Sequence, residues 1–230
     1  MNSKITTIAF DADDTLWINE PYFREAEQQF CRLLEDYQSH ETISGTLFAT
    51  EMKNLHLYGY GVKGFILCML ETAGSICGPA MSAGLTDAVI ALGHDLLEKP
   101  ITLLPGVLDT LEQLNSRYRL VLATKGDLLD QERKLHKSGL EQYFQYTSIM
   151  SDKKRADYRK LMQHLSCEPS QFMMVGNSVR SDILPVLELG GYGGYIPFHM
   201  TWAHEQEDLP PGHNNFMTFQ HFDDLLNYLQ

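Results

Sequence analysis

Residues 5–15 read ITTIAFDADDT, and this stretch decides the fold. Its first six residues are apolar or β-branched, which predicts a short, buried strand. Acidic residues follow at once, with Asp11 and Asp13 two positions apart and Thr15 close behind. Ligands of an open α/β sheet bind beyond the carboxyl ends of its strands, which is where both carboxylates stand. The stretch therefore predicts a first strand that ends in an acidic site.

Further apolar runs repeat the strand pattern at 118–123, 146–150, 172–175 and 194–197. Helical patterns separate or follow these runs, at 106–117, 128–138, 156–165, 181–189 and 222–229. Strands that alternate with helices are typical of parallel βαβ units. We therefore predict an α/β protein whose core is a doubly wound, Rossmann-like parallel sheet.

The segment 18–99 interrupts this alternation because it shows helical spacing and no strand pattern. About 80 residues are too many for an ordinary crossover between strands. The pattern predicts an all-helical cap, inserted into a catalytic core of residues 1–17 and 100–230. Within the cap, the Gly- and Tyr-rich run 57–65 fits either a loop that stacks on substrate or a junction between helices.

Composition excludes several classes of protein. The chain has 230 residues and a net charge of -12, which argues against nonspecific binding to nucleic acid. The start of the sequence has no secretory signal pattern, and no apolar run has the length of a membrane span. The four cysteines form no C-x-x-C pair, which favours a reducing compartment. We expect a cytoplasmic protein with no membrane partner, and the sequence does not predict its oligomeric state.

The two acids after the first strand indicate a specific chemistry. Two carboxylates in one tight loop repel each other unless a cation holds them, and Mg²⁺ commonly binds one or two carboxylates together with substrate phosphate. Asp11 could then attack phosphorus as a nucleophile. Asp13 could protonate the leaving oxygen and later activate water. The alternative is a polar turn that caps a helix.

Polar residues also end three later strands. Thr124 and Lys125 follow the second strand and could contact a phosphate group. Lys153 follows the third strand and could neutralise charge in a transition state. The turn after the fourth strand carries Asn177, Ser178 and the acid Asp182, a set that suits a metal site. Each motif alone also fits an ordinary helix cap, so their common position at strand ends carries the prediction.

These motifs resemble those of the haloacid dehalogenase superfamily, in its phosphatase branch with an inserted helical cap. The resemblance implies that Asp11 is the nucleophile, Asp13 the acid and base, and Lys153 the lysine of the third motif. It also implies that Thr124 is the hydroxyl of the second motif, and that Asp182 is the metal acid of the fourth.

The resemblance further implies a Mg²⁺ ion held by the Asp11 side chain, the Asp13 backbone carbonyl and Asp182. Asn177 and Ser178 would support this site. Many relatives carry Gly-Asp at the start of the fourth motif, whereas this sequence has Gly176-Asn177. Asparagine keeps the oxygen and loses the charge, which would weaken the metal site without removing it.

The lysine of the third motif has two candidates. Relatives commonly place an aromatic residue five or six positions after it, and Tyr158 stands five after Lys153 but only four after Lys154. We therefore expect Lys153 to point toward Asp11, and Lys154 to be solvated or to contact the cap.

The predicted function is a magnesium-dependent hydrolysis of a small phosphate monoester through an aspartyl-phosphate. A phosphomutase or a phosphonatase of the same superfamily remains an alternative, as does a phosphate-binding protein without activity. A dehalogenase is disfavoured because the leaving halide does not need the proton that Asp13 would supply.

Overall fold

The computed structural model describes residues 5–210 and 212–229. Six strands form one sheet in the order β3-β2-β1-β4-β5-β6, and each neighbouring pair is parallel. The strands are β1 (Thr7–Phe10), β2 (Arg119–Lys125), β3 (Tyr146–Met150), β4 (Phe172–Gly176), β5 (Tyr192–Tyr195) and β6 (Phe216–Thr218). The predicted doubly wound, Rossmann-like parallel sheet is confirmed.

Strand register aligns the carboxyl ends of the central strands. Phe10, the last residue of β1, pairs with Leu122 of β2 on one side and with Val175 of β4 on the other. Strands β2 and β3 extend the sheet on one side of β1, and strands β4, β5 and β6 extend it on the other side. The strand order therefore reverses beside β1. Such a switch point opens a crevice at the carboxyl edge. Asp11 follows at this place, with its backbone N–H bonded to the carbonyl of Val175 at 2.9 Å.

Helices cover both faces of the sheet, as a parallel sheet requires. They are α5 (Val107–Asn115), α6 (Leu128–Ser138), α7 (Arg155–His164), α8 (Leu184–Leu187) and α9 (Asp224–Leu229). Successive strand residues enter two different cores: Ile8 and Phe10 pack on one face, and Ala9 packs on the other. Because both faces are apolar, the strands read as continuous apolar runs in the sequence.

The structure differs from the sequence prediction at β2, at β5 and β6, and in the helix after β4. Strand β2 ends at Lys125, so Thr124 and Lys125 are its last two residues, whereas the prediction had them follow the strand. Strand β5 begins and ends two residues before the predicted run at 194–197, and the short strand β6 was not predicted. The helix predicted at 181–189 is instead a π-helical turn, Val179–Ile183, followed by the single turn α8. A π-helical turn holds one extra residue, and it allows the segment after β4 to change direction before α8 begins.

The chain divides into two compact units. One comprises the residues up to Glu20, Ile101–Lys125 and the chain from Gln131 onward, and the other comprises Pro21–Pro100 and Gly126–Asp130. The second unit is helical, with α1 (Glu20–Leu33), α2 (His40–Tyr58), α3 (Val62–Cys77) and α4 (Ala83–Glu98). It packs around its own apolar core. The role of segment 18–99 as a cap stays a prediction.

The run 57–65 is the junction between α2 and α3. Gly59 and Gly61 lie there with φ angles of 71° and 103°, which L residues with side chains rarely adopt. Tyr58, at the end of α2, donates a hydrogen bond to the carboxylate of Glu71 on α3. The run therefore forms a junction between helices, and its contact with substrate stays a prediction.

Across residues 5–210 and 212–229, no helix has the length and hydropathy needed to cross a membrane.

Candidate active site

The loop after β1 is folded back on itself by backbone hydrogen bonds. The Leu16 N–H bonds to the Ala12 carbonyl at 2.8 Å, and the Asp14 N–H bonds to the Trp17 carbonyl at 2.7 Å. Asp14 has a φ of 59°, a left-handed conformation that Asp tolerates better than most residues. Its carboxylate accepts hydrogen bonds from the backbone N–H of Asn19 at 2.8 Å and from that of Glu20, the first residue of α1, at 2.9 Å. This tight turn fixes the positions of both predicted catalytic acids.

Lys153 joins the carboxylates of Asp11 and Asp182 across three strand ends. Its ammonium donates to Asp11 Oδ1, and it donates to Asp182 Oδ1 at 2.7 Å. All three residues are buried: Lys153 is 3% exposed and Asp182 is fully enclosed. Lys154 differs completely, because its side chain is 76% exposed and pairs with Asp152 at 2.7 Å. The structure thus brings Lys153, and not Lys154, to the acid after β1.

The buried group of three has an excess of negative charge. Burial raises the pKa of Asp11 above its ordinary value, even though the Lys153 ammonium beside it acts in the opposite direction. Burial alone would lower the pKa of Lys153, but the charges of Asp11 and Asp182 raise it instead. One ammonium therefore does not compensate two enclosed carboxylates, and a further cation would stabilise both.

The donor atoms at this position fit Mg²⁺. Magnesium prefers hard oxygen ligands and binds through one or two carboxylates, keeping several waters. Asp11 and Asp182 supply the carboxylates, and Asp13 would add its backbone carbonyl. Among the residues that the structure describes, no three His, Cys, Asp or Glu side chains form a ready metal cluster. The predicted ligand set does not require one, since only two of its three members are side chains.

The turn after β4 aims Asp182 at the site. The Ser178 N–H donates to Asp182 Oδ2 at 3.0 Å, and the Asp182 N–H donates to the Ser178 carbonyl at 2.9 Å. The Asp182 carboxylate also lies directly against the α-carbon of Gly176, where a methyl group would overlap it. A glycine at the end of β4 therefore makes room for this acid.

Gly176→Ala is expected to destabilise the protein by about 1–3 kcal/mol, because overpacking a close contact forces buried groups to move. Urea unfolding followed by circular dichroism measures the change. Gly74→Ala is a control, since Gly74 lies inside α3 and a methyl group there meets no atom within 4 Å. The control should equal or exceed the wild type in stability. Equal stability of Gly176→Ala and the wild type would contradict the close packing of Asp182.

Asn177 connects the turn after β4 to the loop after β1. Its backbone N–H donates to Thr15 Oγ1 at 3.1 Å. The hydroxyl of Thr15 lies 3.2 Å from Asn177 Oδ1 and 3.3 Å from Asp11 Oδ2. A hydroxyl has one proton, so these two oxygens share a single donor. The amide oxygen of Asn177 therefore competes with the Asp11 carboxylate for the Thr15 proton.

Lys125 lies in a second, half-buried network, centred on Glu205. Its ammonium contacts the Glu205 carboxylate, and it donates to Ser181 Oγ at 2.8 Å. The hydroxyls of Ser178 and Ser181 each donate to Glu205 Oε2 at 2.5 Å. Burial alone would raise the pKa of Glu205, but Lys125 and the two hydroxyls lower it to about 2. The charge of Lys125 is thus paired with Glu205, and its contact with a phosphate group stays a prediction.

Asp13 is surrounded by hydrogen-bond donors that the sequence did not indicate. Trp17 Nε1 and Lys134 Nζ donate to Asp13 Oδ1, at 2.7 and 2.6 Å. Gln131 Nε2 donates to Asp13 Oδ2 at 3.2 Å and to Thr124 Oγ1 at 2.7 Å. The predicted acid and the predicted phosphate-binding hydroxyl are therefore joined through one amide of α6.

Comparison with known proteins gives a consistent family. The model of the haloacid dehalogenase-like hydrolase family matches residues 5–190. A haloacid dehalogenase-like family hydrolase from Xanthomonas campestris is 30% identical, with a TM-score of 0.85 over 98% of this chain and 96% of its own. No curated protein sequence matches this chain.

More distant solved structures share the fold. The HAD-hydrolase YfnB from Bacillus subtilis, solved with bound magnesium, is 16% identical over 99% of both chains, with a TM-score of 0.67. A HAD phosphatase from Thermococcus onnurineus is 19% identical over 98% of both chains, with a TM-score of 0.66. A 2-haloacid dehalogenase from Pseudomonas syringae is 17% identical over 98% of both chains, with a TM-score of 0.61. The fold alone therefore does not choose between phosphate-ester and carbon–halogen chemistry.

Proposed function

The chain belongs to the haloacid dehalogenase-like hydrolases, and on that premise we propose that it hydrolyses small phosphate monoesters with Mg²⁺. The observation that carries the proposal is the buried contact of Lys153 with both Asp11 and Asp182. A nucleophilic carboxylate that must approach a phosphate dianion needs local positive charge to offset their repulsion. Lys153 supplies one such charge, and the excess negative charge of the pair favours a second.

In the proposed reaction, an Asp11 carboxylate oxygen forms a bond to phosphorus while the bond from phosphorus to the leaving oxygen breaks. Asp13 gives its proton to the leaving oxygen, which departs as an alcohol. Asp13 then takes a proton from water, and the resulting hydroxide attacks the phosphorus of the aspartyl-phosphate. The bond from phosphorus to the Asp11 oxygen breaks, which releases inorganic phosphate and restores the Asp11 carboxylate. Thr124 donates a hydrogen bond to a phosphoryl oxygen, and Lys153 stabilises negative charge on the transferring group.

Magnesium is the proposed cofactor, with Asp11, Asp182 and the carbonyl of Asp13 as its ligands. It would neutralise charge on the phosphate group and hold it in position for attack. YfnB of the same fold was solved with bound magnesium, which supports this choice. The helical segment 18–99 is proposed to select among leaving groups, since it lies outside all four motifs.

Asp13 favours a phosphatase over a dehalogenase. In dehalogenation the leaving halide departs without a proton, so an acid at this position has no task. Here the Asp13 carboxylate accepts hydrogen bonds from three N–H donors. The nitrogens of Trp17 and Lys134 lie 2.7 and 2.6 Å from Asp13 Oδ1, and that of Gln131 lies 3.2 Å from Oδ2. Such a carboxylate is held in one place, as a group that transfers protons must be.

The proposal predicts turnover of p-nitrophenyl phosphate that requires a divalent cation. Phosphate release is measured for the wild type with Mg²⁺, with excess EDTA, and after Mg²⁺ is restored. Release should fall to the background in EDTA and return with Mg²⁺, because the carboxylates lose the cation that offsets their charge. The same preparations are tested for halide release from 2-chloropropionate, for which we expect none.

Two outcomes would contradict the proposal. Undiminished phosphate release in excess EDTA would exclude the cation, and halide release without phosphate release would assign the site to dehalogenation. A panel of sugar phosphates, nucleotides and phosphoserine then identifies the leaving group through kcat/KM.

A further inference from the structure

Two residues of α6 converge on the Asp13 carboxylate. Gln131 and Lys134 are three positions apart, so their side chains leave the same face of the helix. The ammonium of Lys134 lies 2.6 Å from Asp13 Oδ1 and 3.0 Å from Asn19 Oδ1. Only 11% of the Lys134 side chain is exposed, although lysine is seldom buried without a partner. The charge of this enclosed lysine is therefore directed at the proposed acid.

The orientation of the Gln131 amide is determined by its neighbours. Three acceptors surround its nitrogen, namely Asp13 Oδ2 at 3.2 Å, Thr124 Oγ1 at 2.7 Å and the Lys125 carbonyl at 3.3 Å. A carboxylate and a carbonyl can only accept, so the amide nitrogen, and not its oxygen, must face them. The amide nitrogen of Gln131 therefore joins Asp13 to Thr124, whose own hydroxyl oxygen lies 3.5 Å from the Lys125 carbonyl.

We propose that Gln131 and Lys134 are positioning residues that fix Asp13 for proton transfer to the leaving group. This inference rests on the proposed function, in which Asp13 is the acid. The two side chains act through Asp13 and do not need to touch the substrate. Trp17, from the loop after β1, donates its indole N–H to the same oxygen that Lys134 contacts, Asp13 Oδ1, at 2.7 Å.

Dependence on the leaving group distinguishes this role from a general structural one. A nitrophenolate leaves readily without a proton, whereas an alkoxide does not, so only alkyl esters depend strongly on the acid. The test compares kcat/KM for p-nitrophenyl phosphate, phenyl phosphate and glycerol 2-phosphate. This parameter reports the steps up to release of the alcohol, before the aspartyl-phosphate is hydrolysed. The variants are Lys134→Met, Gln131→Met and Asp13→Asn, with Lys137→Met as the control.

The control removes the same charge from an exposed position on the same helix and should match the wild type. Lys134→Met and Gln131→Met should lose about 10- to 100-fold with glycerol 2-phosphate, part of the 10²–10⁴ expected for loss of an acid. With p-nitrophenyl phosphate they should stay within about threefold. Lys134→Arg should lose less than Lys134→Met, because it keeps a cation and N–H donors at this position.

A double variant gives the decisive comparison. Asp13→Asn combined with Lys134→Met should lose no more than Asp13→Asn alone, because residues that act through one group are not additive. Equal losses across all three esters, or additive losses in the double variant, would overturn the inference. If the loss of kcat/KM in Asp13→Asn is no larger with glycerol 2-phosphate than with p-nitrophenyl phosphate, the assignment of Asp13 as the acid fails instead. Gln131→Met alone decides the matter if Lys134→Met does not fold.

Discussion

Asp11→Asn is expected to abolish turnover, with a loss of at least about 10⁴-fold in kcat. The amide oxygen is a poor nucleophile, and removal of a covalent nucleophile costs up to about 10⁶-fold in a well-studied hydrolase. The fold should survive, because the change removes one of the two carboxylates that share the Lys153 ammonium. Phosphate release from p-nitrophenyl phosphate measures the loss, and circular dichroism reports the fold.

A ligand that mimics the aspartyl-phosphate provides a second readout. Beryllium fluoride with Mg²⁺ should raise the Tm of the wild type and leave the Tm of Asp11→Asn unchanged, since the fluoride adduct forms on the carboxylate. Asp109→Asn is the matched control, because Asp109 is an exposed acid on α5 and its loss should affect neither measurement. Near-normal kcat in Asp11→Asn, with contaminating phosphatase excluded, would refute nucleophilic catalysis.

The sequence predicts the central strands and their ends because the local pattern and the tertiary structure agree there. Strands β1, β2 and β4 are apolar on both faces over most of their length, so each appears as an apolar run, and a polar residue marks the point where that run ends. The register of parallel strands then brings those polar ends together. The placement of Lys153 beside Asp11 and Asp182 agrees with this geometry, whereas the choice of Lys153 over Lys154 comes from the family resemblance.

Strand β5 shows where local pattern fails. Its residues Gly193 and Gly194 are typical of a turn, and the sequence prediction therefore began the strand two residues late. In the structure a methyl group on Gly193 would meet Ile183, and one on Gly194 would meet Met173 and Phe219. The glycines are needed because neighbouring side chains occupy the space on both faces, and that requirement comes from residues distant in the sequence.

The donors to Asp13 were missed for a similar reason. Lys134 and Gln131 contact Asp13 across sequence separations of 121 and 118 residues, and each fits an ordinary surface position of an amphipathic helix. Glu205 likewise meets Lys125 across 80 residues, from a segment with no regular pattern. The sequence contains no periodic feature that marks these residues. A prediction from motifs recovers the groups that follow strands, but not the helix and loop residues that orient them.

Lys153→Ala is expected to lose about 10²-fold or more in kcat/KM, by analogy with removal of one preorganised charge donor. The ammonium contacts both Asp11 and Asp182, so its loss leaves two enclosed carboxylates without their shared cation. Lys154→Ala is the matched control from the adjacent position. The Lys154 side chain is 76% exposed and pairs only with Asp152 among the ion pairs of the described residues, so kcat/KM should stay within a few-fold.

The same substitution should destabilise the protein by about 3–5 kcal/mol at neutral pH, the cost of leaving buried charges unpaired. Without the ammonium, burial and mutual repulsion raise the pKa of Asp11 further above its value in the unfolded chain. A carboxyl with a raised pKa binds more protons when folded than when unfolded, so the free energy of unfolding falls as the pH rises. Relative to the wild type, Lys153→Ala should therefore be less stable at about pH 8 than at about pH 5.

Paired measurements on the two lysine variants separate catalysis from folding. Urea unfolding at both pH values gives the stability, and kinetics are recorded below the midpoint temperature of each variant, after circular dichroism shows that it is folded. Added Mg²⁺ should recover part of the stability of Lys153→Ala, because it supplies the missing positive charge to the same carboxylates. A larger kinetic loss in Lys154→Ala than in Lys153→Ala would contradict the assignment of the lysine. A stability difference that does not depend on pH would show that Lys153 supports the fold by packing and not by its charge.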